Sequence, residues 1–495
     1  MSNPYNKFGE DLGYNDATGT DQLAEQEYMM TRDPRTGEVP FYLAYEEYQR
    51  IRGMELVDPN EIIWEERGPN NVGGRTRAIM WDPNDPNHQK IWAGGVSGGL
   101  WYNNNIGSPS NAWHNVADLW SNLSISSIAY DPSNTQVFYV GTGEVWAEIQ
   151  GLGIWKSIDG GATWNRLMST SGDEFKFVQK IVVNTNGDVY AATRDRGVVR
   201  STNGGFSWNA VLNRTTLDTS FSNRAADLEI TADNFILAAM GFYGSSDGVY
   251  ISPSGDEGTW TRLNNGNNGF PTAADGINRI ELAVAPSDSS VIYALVENDS
   301  TINRPTVVDS DIKGIYKTTN KGESWVPLTI PILTICDDGQ CGGVENDGDT
   351  IFFSATQTDY DLVAAVHPTD PNTLFVGGVS LHRSIDGGSH WEKIEGSHDD
   401  HHAMIFRPGD PQTLVFGNDG GVYMIDDCLA TQPIIFKDCN SGGYRVTQFH
   451  TCALHPYGGE NYFLAGAQDN GTQQFLYSGM NVTNTALGSD GGYCY

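Results

Sequence analysis

One eight-residue pattern recurs along this chain and limits what it can fold into. Ser157-Ile-Asp-Gly-Gly-Ala-Thr-Trp164 returns as Ser201-Thr-Asn-Gly-Gly-Phe-Ser-Trp208, Thr318-Thr-Asn-Lys-Gly-Glu-Ser-Trp325 and Ser384-Ile-Asp-Gly-Gly-Ser-His-Trp391, with a looser copy from Ser252 to Trp260. Ser or Thr and Asp or Asn side chains bond nearby backbone N–H groups, and Gly permits positive φ, so each copy is a tight hairpin turn. The Trp then opens the next strand and packs under the turn. Trp64 and Trp113 hold the same strand position without the full pattern, so repeat packing accounts for seven of the 13 Trp.

A second landmark precedes each turn: an apolar strand, an Asp-Pro-like turn, another apolar strand, then Gly-Gly. It reads clearly in Ile79-Met-Trp-Asp-Pro83 with Ile91-Trp-Ala-Gly-Gly95, and in Ile128-Ala-Tyr-Asp-Pro132 with Phe138-Tyr-Val-Gly141. Later copies begin near Val183, Ile230, Val284, Val366, Phe406 and Leu454, giving eight units of four short strands. Four-stranded units repeated at roughly 40–50 residues predict an all-β fold, a β-propeller of seven or eight blades closed radially to hide its edges. Ile62 to Arg67 reads as the outermost strand of a closing blade, and Gly491-Gly-Tyr-Cys-Tyr495 as the first strand of a ninth unit. The expectation is therefore the N-terminal part of something longer, either seven blades and the start of a second propeller or one ring of eight. Residues 1–60 differ: a polar arm, then two stretches of helical spacing, Asp21 to Met30 and Leu43 to Arg52, expected as a short helical clasp. The propeller is expected over residues 61–495.

Acidic residues outnumber basic ones 62 to 29, a formal charge of −33. So negative a surface repels phosphate backbones and anionic lipid, which argues against nucleic acid and membranes as partners. No apolar run reaches the ~18 residues of a membrane span. The start, Met1-Ser-Asn-Pro-Tyr5, lacks the charged and apolar regions of a signal peptide, so either a leader has been removed or the protein is cytosolic. Six cysteines favour the first alternative: the expected disulfide cysteines are Cys336 and Cys341, Cys428 and Cys439, and Cys452 and Cys494, in a secreted or cell-surface setting.

Propellers bind ligands at the mouth of the central channel, where the innermost strands begin. Arg75 and Arg77 lie at one such start and are candidate ligand-binding residues. Trp120 and Trp146 fall outside the repeat positions and read as platforms for sugar rings, with core packing as the alternative. His398-Asp399-Asp400-His401-His402 is the densest cluster. On a strand His398, Asp400 and His402 share one face, and with Asp419 they form a candidate site for a divalent metal, zinc or calcium. The alternative is hydrogen bonding between neighbouring blades around a wet channel. The acidic loop Asp337 to Asp349 is a separate calcium candidate without EF-hand spacing. Glycoside hydrolysis needs two carboxylates about 5–9.5 Å apart. Glu144, Asp400, Asp419 and Asp469 are the candidate catalytic residues, with Asp195 and Asp361 as further members.

The recurring turn resembles the Asp-box, or BNR, hairpin. With Gly68-Pro-Asn-Asn-Val-Gly-Gly-Arg75, Trp92-Ala-Gly-Gly-Val-Ser-Gly-Gly-Leu100 and Gln468-Asp-Asn-Gly-Thr472, residues 62–495 resemble large secreted Asp-box propellers of Bacteroidota-type bacteria, similar to sortilin-type and xyloglucanase-type propellers. The resemblance implies secretion, with a C-terminal type IX sorting domain beyond residue 495. Xyloglucan-active enzymes of this kind place a catalytic Asp just before the Gly-Gly of the first blade, where this chain has Ser97. The Arg-Ile-Pro of sialidases does not occur. Two readings follow: a secreted binding, adhesion or scaffold propeller with an extracellular polysaccharide or protein partner or self-assembly, and a glycoside hydrolase acting through a carboxylate pair at the mouth.

Overall fold

The computed structural model describes residues 65–116, 120, 124–145, 149–213, 223–241, 248–298, 312–335, 350–457, 461–492 and 494, with a few positions before residue 65. Two units are distinguished, one comprising Met1–Ile62 with Leu119–Ser121, the other the rest. In the first, Met29, Leu43 and Arg50 are helical, and Arg35 folds back on Asp33 in a turn. Most of the expected clasp lies outside the described residues, as do Trp64, Trp146, Cys336, Cys341 and the acidic loop 337–349.

The second unit is a β-propeller; its described residues form eight four-stranded antiparallel sheets and one two-stranded sheet. Their first strands are Thr76–Trp81, Ile125–Asp131, Val178–Val183, Ala225–Ile230, Ile277–Val284, Val363–Val366, His401–Arg407 and Phe449–Leu454. In seven of the sheets these strands pack side by side in chain order, and the strand of the seventh lies again beside that of the first. Apolar clusters fill the spaces between neighbours: Ile79, Trp101 and Trp113 of the first sheet meet Val415, Val422 and Met424 of the seventh. Because both faces of these sheets are covered, the second strands Ile91–Gly95, Val189–Thr193 and Leu374–Gly377 are buried throughout. The eighth sheet differs. Its first strand alternates half-buried and exposed, and Asn484–Leu487 is exposed throughout.

The recurring turn locks sheet to sheet. Ser157 Oγ accepts the Gly161 N–H and Asp159 Oδ1 accepts the Thr163 N–H, each at 2.8 Å. The copies at Ser201, Thr318 and Ser384 repeat these bonds. Gly161 has φ +86°, and a Cβ there would come within 2.3 Å of the Trp92 ring in the preceding sheet. In the other copies this glycine faces a leucine of the preceding sheet, Leu167, Leu263 or Leu328. The turn needs glycine for its backbone and for the closeness of the next blade.

For two of the three expected cysteine pairs the expectation is corrected: Cys428, Cys439, Cys452 and Cys494 are free thiols. Cys428 packs among Phe375, Ile394 and Leu414, between the sixth and seventh sheets. Cys439 packs beside Trp101 and Trp113, between the seventh and the first. The pair thus lies on opposite faces of the seventh sheet. Cys494 donates its N–H to Thr451 Oγ1 at 2.9 Å, and successive strand residues point to opposite faces, so Cys452 faces away from it.

Candidate functional site

At their starts, six of the ring's seven first strands carry a register shift against the second strand. A bulge leaves one residue out of the pairing and re-aims its side chain. The residues so displaced include Arg77 in the first sheet, Arg279 in the fifth and His402 in the seventh. The bulges thereby bring long polar side chains from distant sheets to one place.

Arg77 Nε lies 2.9 Å from Glu144 Oε2, and its guanidinium sits 4.6 Å from the centroid of the Tyr360 ring. Arg75 donates to the Tyr360 hydroxyl at 3.1 Å and to Gln448, and approaches Asp469 Oδ2 at 3.7 Å. Arg279 anchors the segment that carries Tyr360, donating to the carbonyls of Asp359, Tyr360 and Leu362 at 2.9–3.0 Å. Deeper in the fold, Lys180 Nζ lies 3.4 Å from both Asp227 and Glu229.

The acidic half of the site runs from the sixth sheet to the eighth. Asp361 is fully buried, and its Oδ1 lies 3.5 Å from His402 Nε2. His402 donates from Nε2 to Asp419 Oδ1 at 2.6 Å. Burial, reinforced by Arg77 and Arg279, pushes its pKa well below the usual histidine value, so the ring is neutral. Burial also raises the carboxyls: Asp361 well above the ordinary range, with Asp400 and Asp419 adding to it. Asp400 is pushed up to about 7 by burial and then Asp419, and Asp469 to about 7 by the same two causes. Asp419 rises to about 6 through burial, which Arg75 and Arg77 oppose. These groups hold protons near neutrality.

The expected shared strand face of His398, Asp400 and His402 does not form. Asp400 has φ +65°, outside the strand, which begins at His401. The left-handed turn breaks the alternation that put His398, Asp400 and His402 on one face. His398 instead turns to the eighth sheet and donates from Nε2 to the Asp469 carbonyl at 2.9 Å. Among the described residues no three His, Cys, Asp or Glu side chains are grouped to hold a metal ion. The candidate carboxylates fare differently: Glu144, Asp361, Asp400, Asp419 and Asp469 come together, whereas Asp195 is exposed beside its neighbour Arg194. Trp120 is buried and belongs to the other unit.

Beside Asp469 lies a cavity of about 310 Å³ where the seventh and eighth sheets and the lead into the first meet. Its walls include Tyr423, Asp438, Asn440, Asp469, Asn470 and Gln473. No lysine or arginine is among its described lining residues. Asp469 and His398 stood out in the sequence, but the crevice they border did not, because its walls come from opposite ends of the propeller sequence. The other residues passed over were Tyr360, an aromatic between two arginines, and the bulged register that aims Arg77 and His402.

Several solved structures share this architecture. The GH74 xyloglucanase from Xanthomonas campestris superposes with a TM-score of 0.58 at 16 % identity, over 83 % of this chain and 60 % of the enzyme. This chain is a β-propeller. The Niastella koreensis GH74 enzyme matches with a TM-score of 0.57 at 17 % identity, over 85 % and 62 %. An ancestral GH74 enzyme gives 0.58 at 18 %, over 85 % and 55 %. The propeller chain thus spans less than two thirds of each of these enzymes, and at such identities the likeness is one of fold. No family model matches the sequence, and no curated protein matches it.

Proposed function

We propose that this propeller is an extracellular binding protein that takes a neutral polysaccharide chain in the crevice beside Asp469. The observation that carries the reading is the chemistry of the crevice walls. Carboxyl, amide and hydroxyl groups and the His398 imidazole line it, without a lysine or arginine among the described lining residues. Such walls donate and accept hydrogen bonds with the hydroxyl groups of a sugar. Asp469, raised to about 7 chiefly by burial, offers a proton as well as lone pairs. Deeper in the site His402 is tied to Asp419 within the seventh sheet, and His398 reaches across to the Asp469 carbonyl of the eighth, as expected of a scaffold. A panel of soluble neutral and charged polysaccharides, read by affinity electrophoresis, tests this. Retardation by a neutral polymer supports it; retardation by none of the neutral polymers contradicts it.

Glycoside hydrolysis is the second reading. It is favoured by Asp400, Asp419 and Asp469, which keep protons near neutral pH as a general acid must. Release of reducing ends from a bound polymer, lost in Asp469→Asn, supports it; binding without release leaves the binding reading alone.

A further inference from the structure

The side chains that line the crevice differ in whether their polar atoms are already engaged. Every side-chain amide nitrogen among the described lining residues donates within the protein. Asn71 Nδ2 donates to the Thr483 carbonyl at 3.1 Å, and Asn440 Nδ2 to that of Gly420 at 3.2 Å. Asn470 Nδ2 serves two carbonyls, Asp419 at 2.9 Å and Gln468 at 3.0 Å. Gln473 Nε2 serves the Asn470 carbonyl and the Thr485 hydroxyl. Both ring nitrogens of His398 face carbonyls, those of Asp399 and Asp469. Acceptors are left over on both sides. Asp438 ends the last strand of the seventh sheet, Phe436–Asp438. Its Oδ1 accepts the Asn440 N–H at 2.8 Å, and its Oδ2 takes no hydrogen bond among the described residues. On the eighth sheet, the two carbonyls bound by Asn470 Nδ2 fix the orientation of that amide. They leave its Oδ1 without a partner among the described residues.

We propose that the crevice reads the hydroxyl hydrogens of its ligand: Asp438 and the side-chain oxygen of Asn470 accept from sugar hydroxyls. The ligand class is then a neutral glycan with unsubstituted hydroxyl groups, and glycans whose hydroxyls are capped as ethers are rejected. The inference rests on the reading of the crevice as a polysaccharide site, argued above.

A sugar hydroxyl both donates and accepts, but only its hydrogen satisfies Asp438 Oδ2 or Asn470 Oδ1. The third lining carboxyl, Asp469, already accepts from Gln468 Nε2 at 2.8 Å and has Arg75 Nε 3.7 Å away. The hydroxyls of Tyr423, Thr485 and Ser489 turn either way and so fit a donor or an acceptor. Discrimination therefore falls to the two atoms that cannot turn. A methyl ether keeps the sugar oxygen and loses its hydrogen. Oxygen then meets oxygen, and an acceptor stripped of water on binding goes unpaired, which is the repulsive element that specificity needs. A uronate brings a second carboxylate toward Asp438, in a chain whose formal charge is already −33.

Affinity electrophoresis of the full chain tests this with neutral polymers, dextran, laminarin and galactomannan among them, each as the native polymer and in O-methylated form. The expected result is retardation by a native polymer and an apparent affinity at least tenfold lower for its methylated form. Equal retardation by the two forms overturns the inference and leaves the polysaccharide reading standing. Retardation by none of the native polymers contradicts that reading instead, and the inference falls with it. Asp438→Asn adds a test at one atom. The Asn440 N–H holds the amide oxygen in the place of Oδ1, so the free carboxylate oxygen becomes an N–H donor. Asp438 is exposed, so the fold is kept. The variant is expected to lose about tenfold in affinity for the native polymer and to narrow the gap between native and methylated forms, because an amide donates to an ether oxygen. Ser489→Ala, which removes a hydroxyl that turns either way, should leave that gap in place. An affinity and a gap both unchanged in Asp438→Asn overturn the role given to Asp438.

Discussion

The Arg77 guanidinium and the Glu144 carboxylate meet at 2.9 Å with side chains 10 % and 2 % exposed, joining the first sheet to the second. Removing one partner strands a buried charge. Arg77→Ala is expected to cost about 3–5 kcal/mol, and the double change Arg77→Met with Glu144→Leu much less. Urea unfolding of the single and double variants measures both. Equal losses in the two would show that packing, rather than the ion pair, holds this contact.

Gly161→Ala tests the lock between blades. Its Cβ would press on the Trp92 ring at a φ of +86°, so a loss of about 2–4 kcal/mol is expected from overpacking and backbone strain together. Gly258 also has positive φ, at +80°, but a Cβ there meets nothing within 4 Å. Gly258→Ala should cost only the conformational part, about 1–2 kcal/mol. Thermal unfolding of the two variants decides; similar losses would deny the lock its packing role.

Stability should fall as pH rises between about 5 and 8. Burial first raises Glu229, Glu281 and Glu297 to about 7, 7 and 8, as it raises Asp400 and Asp469 to about 7. The unfolded chain releases these protons near pH 4, so the folded state binds more protons in that window and stability declines with pH. Asp400→Asn removes one such group. The variant should gain about 1–2 kcal/mol over wild type at pH 8 and nothing at pH 4, read as the difference in urea midpoints. Wild-type stability that rises from pH 5 to pH 8 would contradict the assignment.

The repeat was legible in the sequence because its turn chemistry is local: Ser157, Asp159 and Gly161 satisfy one another within five residues. The mouth was half legible. Arg77 and His402 stood out by type, but the bulges that aim them depend on pairing with the second strand. The expectation that His398, Asp400 and His402 share one strand face failed on one backbone angle, the positive φ of Asp400. Cys428 and Cys439 are close in sequence, yet the seventh sheet separates them, since strand faces cannot be counted through a loop. The crevice was out of reach, because Asn71 and Asn470 become neighbours only when the eighth sheet docks.

Calorimetric titration with a neutral oligosaccharide tests the central claim most directly, comparing wild type with Gly488→Trp. Gly488 lines the crevice, is exposed, and a Cβ there meets nothing within 4 Å, so an indole blocks the crevice without disturbing the core. The account predicts saturable binding by the wild type and loss of at least tenfold in affinity, about 1.4 kcal/mol, in the variant. Binding unchanged by Gly488→Trp would place the ligand elsewhere on the propeller, and no binding by the wild type to this or any neutral oligosaccharide would contradict the account.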